Sequence, residues 1–90
     1  MAAYQVEFVK SAEKEFEKLP ARIKSKVGEA LALLSINPFS ELLSVKKLKG
    51  AESLFRIRLG DYRVVYEIQK KRLVVIVVKI GHRSEIYRRF

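Results

Sequence analysis

The chain has no cysteine and only one histidine among its 90 residues. The absence of cysteine excludes a disulfide framework, a thiolate nucleophile and a cysteine-ligated zinc. It also favours the cytoplasm, because a secreted domain of this size usually needs disulfides. A lone histidine with no cysteine beside it does not make a metal site either. The sequence therefore predicts neither a structural nor a catalytic metal.

Long apolar runs are missing as well. The longest, Leu73 to Ile80, has eight residues and is interrupted by Lys79, whereas a membrane-spanning helix needs about 20. Residues 1–4 have neither the basic nor the apolar part of a signal peptide. We therefore expect no membrane insertion and no export.

The length sets a limit on the core. We predict a single domain over residues 1–90, since two domains do not fit in this length. A chain this short removes only about 60–65% of its unfolded surface from water. Such a core cannot enclose a large cofactor, so we expect no cofactor and a site that lies on the surface.

The net charge of +9 lies entirely in the second half. Residues 1–45 hold six basic and six acidic side chains, whereas residues 46–90 hold thirteen basic and four acidic ones. Charge of one sign in one part of a fold costs stability by self-repulsion and commonly serves to attract a polyanion. Nucleic acid or an acidic protein is the predicted partner, and the alternative is a surface that only keeps the protein soluble.

The first half predicts a strand and two helices. Alternating side chains indicate a short strand over residues 4–8. Ser11 is the predicted N-cap of a first helix, which stops at Leu19 because Pro20 disfavours a helical residue before it. The second helix can begin at Pro20 and end at Asn37-Pro38. Its apolar stripe consists of Ile23, Val27, Ala30, Leu31 and Leu34.

The second half changes to the period of β-strands. Residues 55–59 and 62–68 alternate around Gly60-Asp61, which predicts a β-hairpin with a two-residue turn. Lys70-Lys71 predicts a second turn, and Leu73 to Ile80 predicts a strand covered on both faces. The expected fold is α+β: a short N-terminal strand, a helical hairpin, an antiparallel three-stranded meander and a C-terminal segment, with the helices packed on one face of the sheet.

The predicted hairpin places three arginines on one face. A two-residue turn pairs residues whose numbers sum to 121, so Arg58 faces Arg63, and Arg56 shares their side. Like charges in direct opposition destabilise a sheet by an amount of the order of 0.2–1 kcal/mol. We infer an anion-binding face. The alternative is that the arginine stems cover Val65 and Val78 while their heads reach solvent.

The C-terminal segment adds further polar groups. We expect it to leave one end of the sheet and to bring His82, Arg83 and Tyr87 toward the arginine face. Taken alone, the histidine is more often a hydrogen-bonded loop residue and the tyrosine a core-edge aromatic. Together these groups suit metal-free RNA cleavage by a ribose 2′-OH, in which cations stabilise the phosphorane. Arginine stays protonated and is a poor base, whereas a tyrosine among cations can act as one.

Three segments stand out by their motifs: KLKG at residues 47–50, LFRIRLGDYRVVYEI at residues 54–68 and VKIGHRSEIY at residues 78–87. These segments resemble the RelE-type toxins of prokaryotic toxin–antitoxin modules. The alternating strand at residues 4–8, the break at Lys18-Leu19-Pro20 and Asn37-Pro38 also fit. The resemblance covers nearly the whole chain, and the order and spacing of these motifs are specific.

The resemblance implies a ribosome-dependent endoribonuclease that cuts mRNA in the aminoacyl site, and a small cognate antitoxin that inactivates it within a hetero-oligomer. The residues that it implies as catalytic are Arg58, Arg63, His82, Arg83 and Tyr87. Those that it and the charge distribution imply as contacts to RNA or the ribosome are Lys47, Lys49, Arg56, Arg88 and Arg89. The type member has lysines at the positions of Arg56 and Arg58, and this difference shifts the role of general base to Tyr87 or His82.

Two other readings stay open. ParE-type toxins share the superfamily, lack most of the catalytic side chains and inhibit DNA gyrase. A non-catalytic binding module would keep only the contact to the antitoxin or to nucleic acid. The fold alone does not distinguish these functions. The presence of Arg63, Arg83 and Tyr87 favours the nuclease, because ParE-type toxins lack most of the catalytic side chains.

Overall fold

A computed structural model describes residues 4–39, 43, 45–48 and 53–85 of the chain. The elements are β1 (Gln5–Phe8), α1 (Lys10–Glu17), α2 (Ala21–Ile36), β2 (Lys46–Lys47), β3 (Leu54–Leu59), β4 (Tyr62–Gln69) and β5 (Val74–His82). The strands form one sheet in the order β1-β5-β4-β3-β2. The α+β prediction is confirmed, including the antiparallel meander of β3, β4 and β5.

The two helices begin slightly away from the predicted positions. Val9, not Ser11, is the N-cap of α1, because the Val9 N–H donates to the carbonyl of Val77 and keeps Val9 extended until the helix begins at Lys10. Pro20 is the N-cap of α2 and not its first residue, and its carbonyl accepts the N–H of Lys24 at 2.8 Å. Within the described residues, no helix is long and apolar enough to cross a membrane.

The β3–β4 hairpin has the predicted register. Arg58 lies opposite Arg63 and Ile57 opposite Val64. Gly60 opens the turn with a φ of +61°, a left-handed value that glycine adopts without the steric cost of a Cβ. The turn residue and the alternation of the strands therefore agree on one register.

Several features of the sheet depart from the prediction. β1 pairs with β5 in parallel, and the two lysines of β2 add a short edge strand beside β3. The turn after β4 extends over residues 70–73, and β5 continues to His82 instead of ending at Ile80. A register shift between Val65 and Tyr66 interrupts the β4–β5 ladder. Lysines at an edge strand discourage pairing with another chain.

The core lies between the helices and one face of the sheet. Its fully or nearly fully buried side chains are Ala12, Val27, Ala30, Leu31 and Leu34 from the helices and Ile57, Val64, Tyr66, Ile68, Val75, Val77 and Ile80 from the strands. The apolar stripe predicted for α2 is therefore the buried one, apart from the half-buried Ile23. The Tyr66 hydroxyl donates to the carbonyl of Pro38 at 3.1 Å, and burial raises the pKa of Tyr66.

Candidate functional site

The arginine face consists of Arg56, Arg58 and Arg63 and lies on the side of the hairpin opposite the core. Ile57 and Val64 are fully buried against the helices, so the residues that alternate with them face the other way. Arg58 is exposed, and Arg56 and Arg63 are half-buried. Val65, which pairs with Arg56 across the hairpin, is fully buried on this face. Arg58 and Arg63 stand directly opposite each other across the hairpin, as predicted.

The guanidinium of Arg63 is fixed at the hairpin turn. Its Nη1 donates to the carbonyl of Gly60 at 2.8 Å and to the carbonyl of Tyr62 at 3.0 Å. These bonds use only part of the five N–H donors of a guanidinium. Within the described residues the other donors have no hydrogen-bond partner, so they can bind an anion from a position that these two bonds help to set.

Arg83 reaches the same turn from the end of β5. Its backbone N–H donates to the carbonyl of Asp61 at 2.7 Å, and its Nε lies 3.6 Å from Asp61 Oδ1. Both side chains of this ion pair are about two-thirds exposed, so it adds little stability. The two contacts join the end of β5 to the hairpin turn, and so they place Arg83 at the turn that Arg63 also contacts.

His82 lies on the other side of the sheet. It pairs with Tyr62, and their rings meet edge to face at 5.6 Å, on the side of Val64 and Ile80. The expectation that His82 turns toward the arginine face is therefore wrong. The reason is that β5 continues through His82, so alternation from the buried Ile80 directs the imidazole to the helix side.

The imidazole of His82 is hydrogen-bonded to Ser84. The backbone N–H of Ser84 donates to His82 Nδ1 at 3.2 Å, and Ser84 Oγ lies 2.8 Å from the same atom. Since a backbone N–H can only donate, Nδ1 is the acceptor in this contact. The Nδ1 lone pair is therefore engaged by Ser84.

One further predicted site residue, Lys47, lies away from this turn. Lys47 lies on β2 opposite Phe55, at the far end of β3 from Gly60. Four other predicted site residues, Lys49, Tyr87, Arg88 and Arg89, lie outside the described residues. The structure thus brings together Arg58, Arg63 and Arg83, with Arg56 further along β3.

Sequence reasoning missed Glu15, which supports this site from α1. Its Oε1 accepts the backbone N–H of Ile80 at 2.9 Å, and its Oε2 lies 3.2 Å from Lys79 Nζ. β1 ends at Phe8, opposite Val77, so within the part of the chain that the structure describes the edge of β5 beyond that point has no strand neighbour. The carboxylate takes the place of the missing strand just before His82 and Arg83. The pattern of α1 only marked Glu15 as polar.

The chemistry available at the turn is anion binding. Guanidinium groups stay protonated at any physiological pH, so Arg58, Arg63 and Arg83 can stabilise negative charge but cannot accept a proton. Among the described residues, no three acidic or histidine side chains are close enough to hold a metal ion. The fold and the site together define the class of protein: a small α+β domain whose surface carries a cluster of arginines suited to binding a phosphate.

The sequence model described as "ParE toxin of type II toxin-antitoxin system, parDE" matches residues 6–87. The chain therefore belongs to this toxin family, which forms part of the RelE/ParE superfamily.

Two of its curated relatives are the toxins RelG and RelE. The chain is 35% identical to Toxin RelG of Mycobacterium tuberculosis over 88 residues, which cover 96% of this chain and 98% of the relative. It is 32% identical to the mRNA interferase toxin RelE of Escherichia coli K12 over 89 residues, with 94% and 90% covered. The RelE-type resemblance seen in the motifs is confirmed.

Solved structures show the same fold. The archaeal RelE–RelB complex of Pyrococcus horikoshii contains a chain that superposes with a TM-score of 0.81 at 32% identity, covering 92% of this chain and 98% of that one. The intact RelBE complex of Escherichia coli gives a TM-score of 0.78 at 29% identity, covering 89% and 96%. The arrangement of helices and sheet described above is therefore that of the RelE toxins.

Proposed function

We propose that this RelE-type toxin is an endoribonuclease that cleaves mRNA on the ribosome and so stops translation. The observation that carries the proposal is the convergence of Arg58, Arg63 and Arg83 at one hairpin turn, with the Arg63 guanidinium already oriented. The name of the Escherichia coli relative, an mRNA interferase, supports the same reaction class. The proposal places the protein in the cytoplasm, where its substrate is.

In the proposed reaction, the 2′-oxygen attacks the adjacent phosphorus while the bond to the 5′-oxygen breaks. The products are a 2′,3′-cyclic phosphate and a new 5′-hydroxyl. One group removes the proton of the 2′-OH and another protonates the leaving 5′-oxygen. Arg63 and Arg83 hold the phosphate and its additional negative charge, whereas Arg56 and Arg58 position the RNA backbone. This step uses no metal.

We propose that Tyr87, and not His82, is the general base that removes the proton of the 2′-OH. The imidazole of His82 lies on the helix side of the sheet, and its Nδ1 lone pair accepts hydrogen bonds from Ser84. The first fact removes His82 from the arginine face, and the second occupies the Nδ1 lone pair. Tyr87 is the group that the RelE resemblance supplies for the same role.

We also propose a cognate antitoxin as a partner. The structural relatives from Pyrococcus horikoshii and Escherichia coli are complexes of RelE with RelB. An acidic antitoxin would neutralise part of the charge of +9 that this chain carries. We expect the two proteins to form a hetero-oligomer in which the toxin is inactive.

Induction of the toxin without its antitoxin tests the proposed function. We expect translation to stop within minutes, with transcripts cut inside their coding regions. Co-expression of the product of the adjacent reading frame should restore growth.

Inhibition of DNA gyrase is the second candidate, because the matching family is described by its ParE members. It predicts blocked replication with intact transcripts in the same induction experiment. That result would show that the protein is a gyrase inhibitor and not a nuclease. The arginines at the turn would then contact gyrase.

A further inference from the structure

A second cationic site lies at the opposite end of the sheet from the Gly60 turn. We call it the lysine cradle: Lys47 of β2 together with Lys70 and Lys71 of the turn that follows β4. With Ser53, Phe55 and Ile68 they line an open pocket of about 380 Å³. All three lysines are exposed, so their ammonium groups can reach a ligand in the pocket.

An exposed aromatic ring borders the lysine cradle. The Phe39 side chain is 43% exposed, and Lys70 Nζ lies 5.3 Å from its ring centroid. The ring of Phe39 meets Phe55 edge to face at 5.7 Å, and Phe55 in turn stacks on the buried Tyr66. Phe39 is therefore held by the core and still offers apolar surface to solvent.

The positive charge of the cradle is not neutralised by the described part of the chain. The ion pairs found there join Glu15 to Lys79 and Asp61 to Arg83, and neither involves the cradle. Three lysines that line one pocket repel one another, and an anion in the pocket would remove that cost. The pocket therefore has the charge, the size and the exposure of an anion site.

The cradle is separate from the arginine cluster. Along β4, Arg63 and Lys70 are seven residues apart, or about 23 Å at the usual rise of a strand. The Debye length at physiological ionic strength is about 8 Å, so charges at the two sites barely influence each other. The lysines of the cradle therefore do not act on a phosphate bound at Arg63.

We infer that the lysine cradle binds the sugar–phosphate backbone of single-stranded RNA, with Phe39 stacking on a base. Lysines next to an exposed aromatic ring form the combination that recognises single-stranded nucleic acid, whereas an acidic peptide would need the lysines only. The choice of RNA as the polyanion rests on the proposed function. The cradle thus adds affinity and leaves the chemistry to the arginines.

The salt dependence of RNA binding tests the inference. We compare Lys70→Gln/Lys71→Gln with Lys10→Gln/Lys14→Gln, which removes the same charge from exposed positions on α1. The probe is a fluorescent single-stranded RNA of about 20 nucleotides, and affinity is measured by anisotropy over a range of salt concentrations. Each phosphate contact contributes about 0.7 to the slope of log K against log salt. Loss of two contacts should reduce the slope by about 1.4, whereas the α1 control should keep it.

Phe39→Leu isolates the stacking contribution. We expect about tenfold weaker binding with an unchanged slope, because no phosphate contact is lost. Thermal unfolding of each variant shows whether the fold is intact. Lys70 and Lys71 are exposed turn residues and their charges repel each other, so their replacement should not lower the melting temperature.

Three results would overturn the inference: equal slopes for the two double variants, unchanged affinity for Phe39→Leu, or a Lys70→Gln/Lys71→Gln variant that loses affinity only for an acidic antitoxin. Wild-type protein that binds RNA with the expected slopes but cuts no transcript would overturn the proposed function alone. Cleavage with no effect of Lys70→Gln/Lys71→Gln on the slope would overturn the cradle alone.

Discussion

At the residue scale, the pair of Arg58 and Arg63 conflicts with the stability of the hairpin that carries it. The two side chains face each other across β3 and β4, where opposite charges or apolar groups are the favourable choice. Arg63 offsets part of this cost by hydrogen bonding to the carbonyls of Gly60 and Tyr62. A pair of this kind is consistent with a binding role, because a phosphate between the two guanidinium groups changes the repulsion into attraction.

Replacement of one member of the pair should stabilise the free protein. We expect Arg58→Thr to raise the free energy of unfolding by about 0.2–1 kcal/mol, since it removes the repulsion and introduces a good strand former. Arg56→Thr is the matched control, because Arg56 lies opposite Val65 instead of a cation. Urea denaturation measures both variants. Equal effects of the two substitutions would show that Arg58 and Arg63 do not repel each other.

The identity of the general base is a second question at this scale. We expect Tyr87→Phe to lower the cleavage rate by about 10²–10⁴-fold, the usual contribution of a base, and His82→Gln to leave it within a few-fold of wild type. The reason is that Nδ1 of His82 is engaged by Ser84 on the other side of the sheet. Single-turnover cleavage on saturated ribosomes separates the two. A larger loss in His82→Gln would reverse the assignment.

At the scale of elements, the end of β5 depends on α1. β5 is longer than its parallel neighbour β1, and Glu15 accepts the N–H of Ile80 that β1 leaves without a strand partner. The same strand then delivers Arg83 to the turn of the hairpin, where its N–H binds the carbonyl of Asp61. The first helix thus helps to place a residue of the site without contacting the substrate.

Removal of this support should be measurable as a loss of stability. We expect Glu15→Ala to cost about 1–3 kcal/mol, because the half-buried N–H of Ile80 loses its acceptor. Glu15→Gln keeps an acceptor oxygen and should cost less, since it loses only the ion pair with Lys79. Glu13→Ala, on the exposed side of α1, serves as the control. Urea denaturation that gives equal values for Glu15→Ala and Glu13→Ala would contradict this role.

The elements also show where sequence reasoning is effective and where it stops. Alternation and the Gly60 turn predict the register of the β3–β4 hairpin, because both depend on local geometry. The side of the sheet on which His82 lies could not be predicted, because β5 was expected to end at Ile80. β5 in fact continues to His82, and the alternation of side chains along the strand then decides which face His82 occupies. The support from Glu15 is a contact between residues 65 positions apart, which local pattern cannot reveal.

At the scale of the whole molecule, the distribution of charge matches the architecture. The neutral first half supplies β1 and both helices, whereas the basic second half supplies β2 to β5. The α+β class and the side of the sheet that carries the helices follow from the sequence, but the parallel pairing of β1 and the short edge strand β2 do not. Two lysines carry no strand signal, and the partner of a four-residue strand is set by packing of the complete chain.

The central claim is that the arginines at the Gly60 turn stabilise a phosphate during RNA cleavage. The most direct test is the single-turnover rate of mRNA cleavage on saturated ribosomes for Arg63→Ala, with the exposed Arg22→Ala of α2 as the control. We predict a loss of about 10²–10³-fold for Arg63→Ala, the usual cost of removing one transition-state donor, and a wild-type rate for Arg22→Ala. A wild-type rate in Arg63→Ala would contradict the claim.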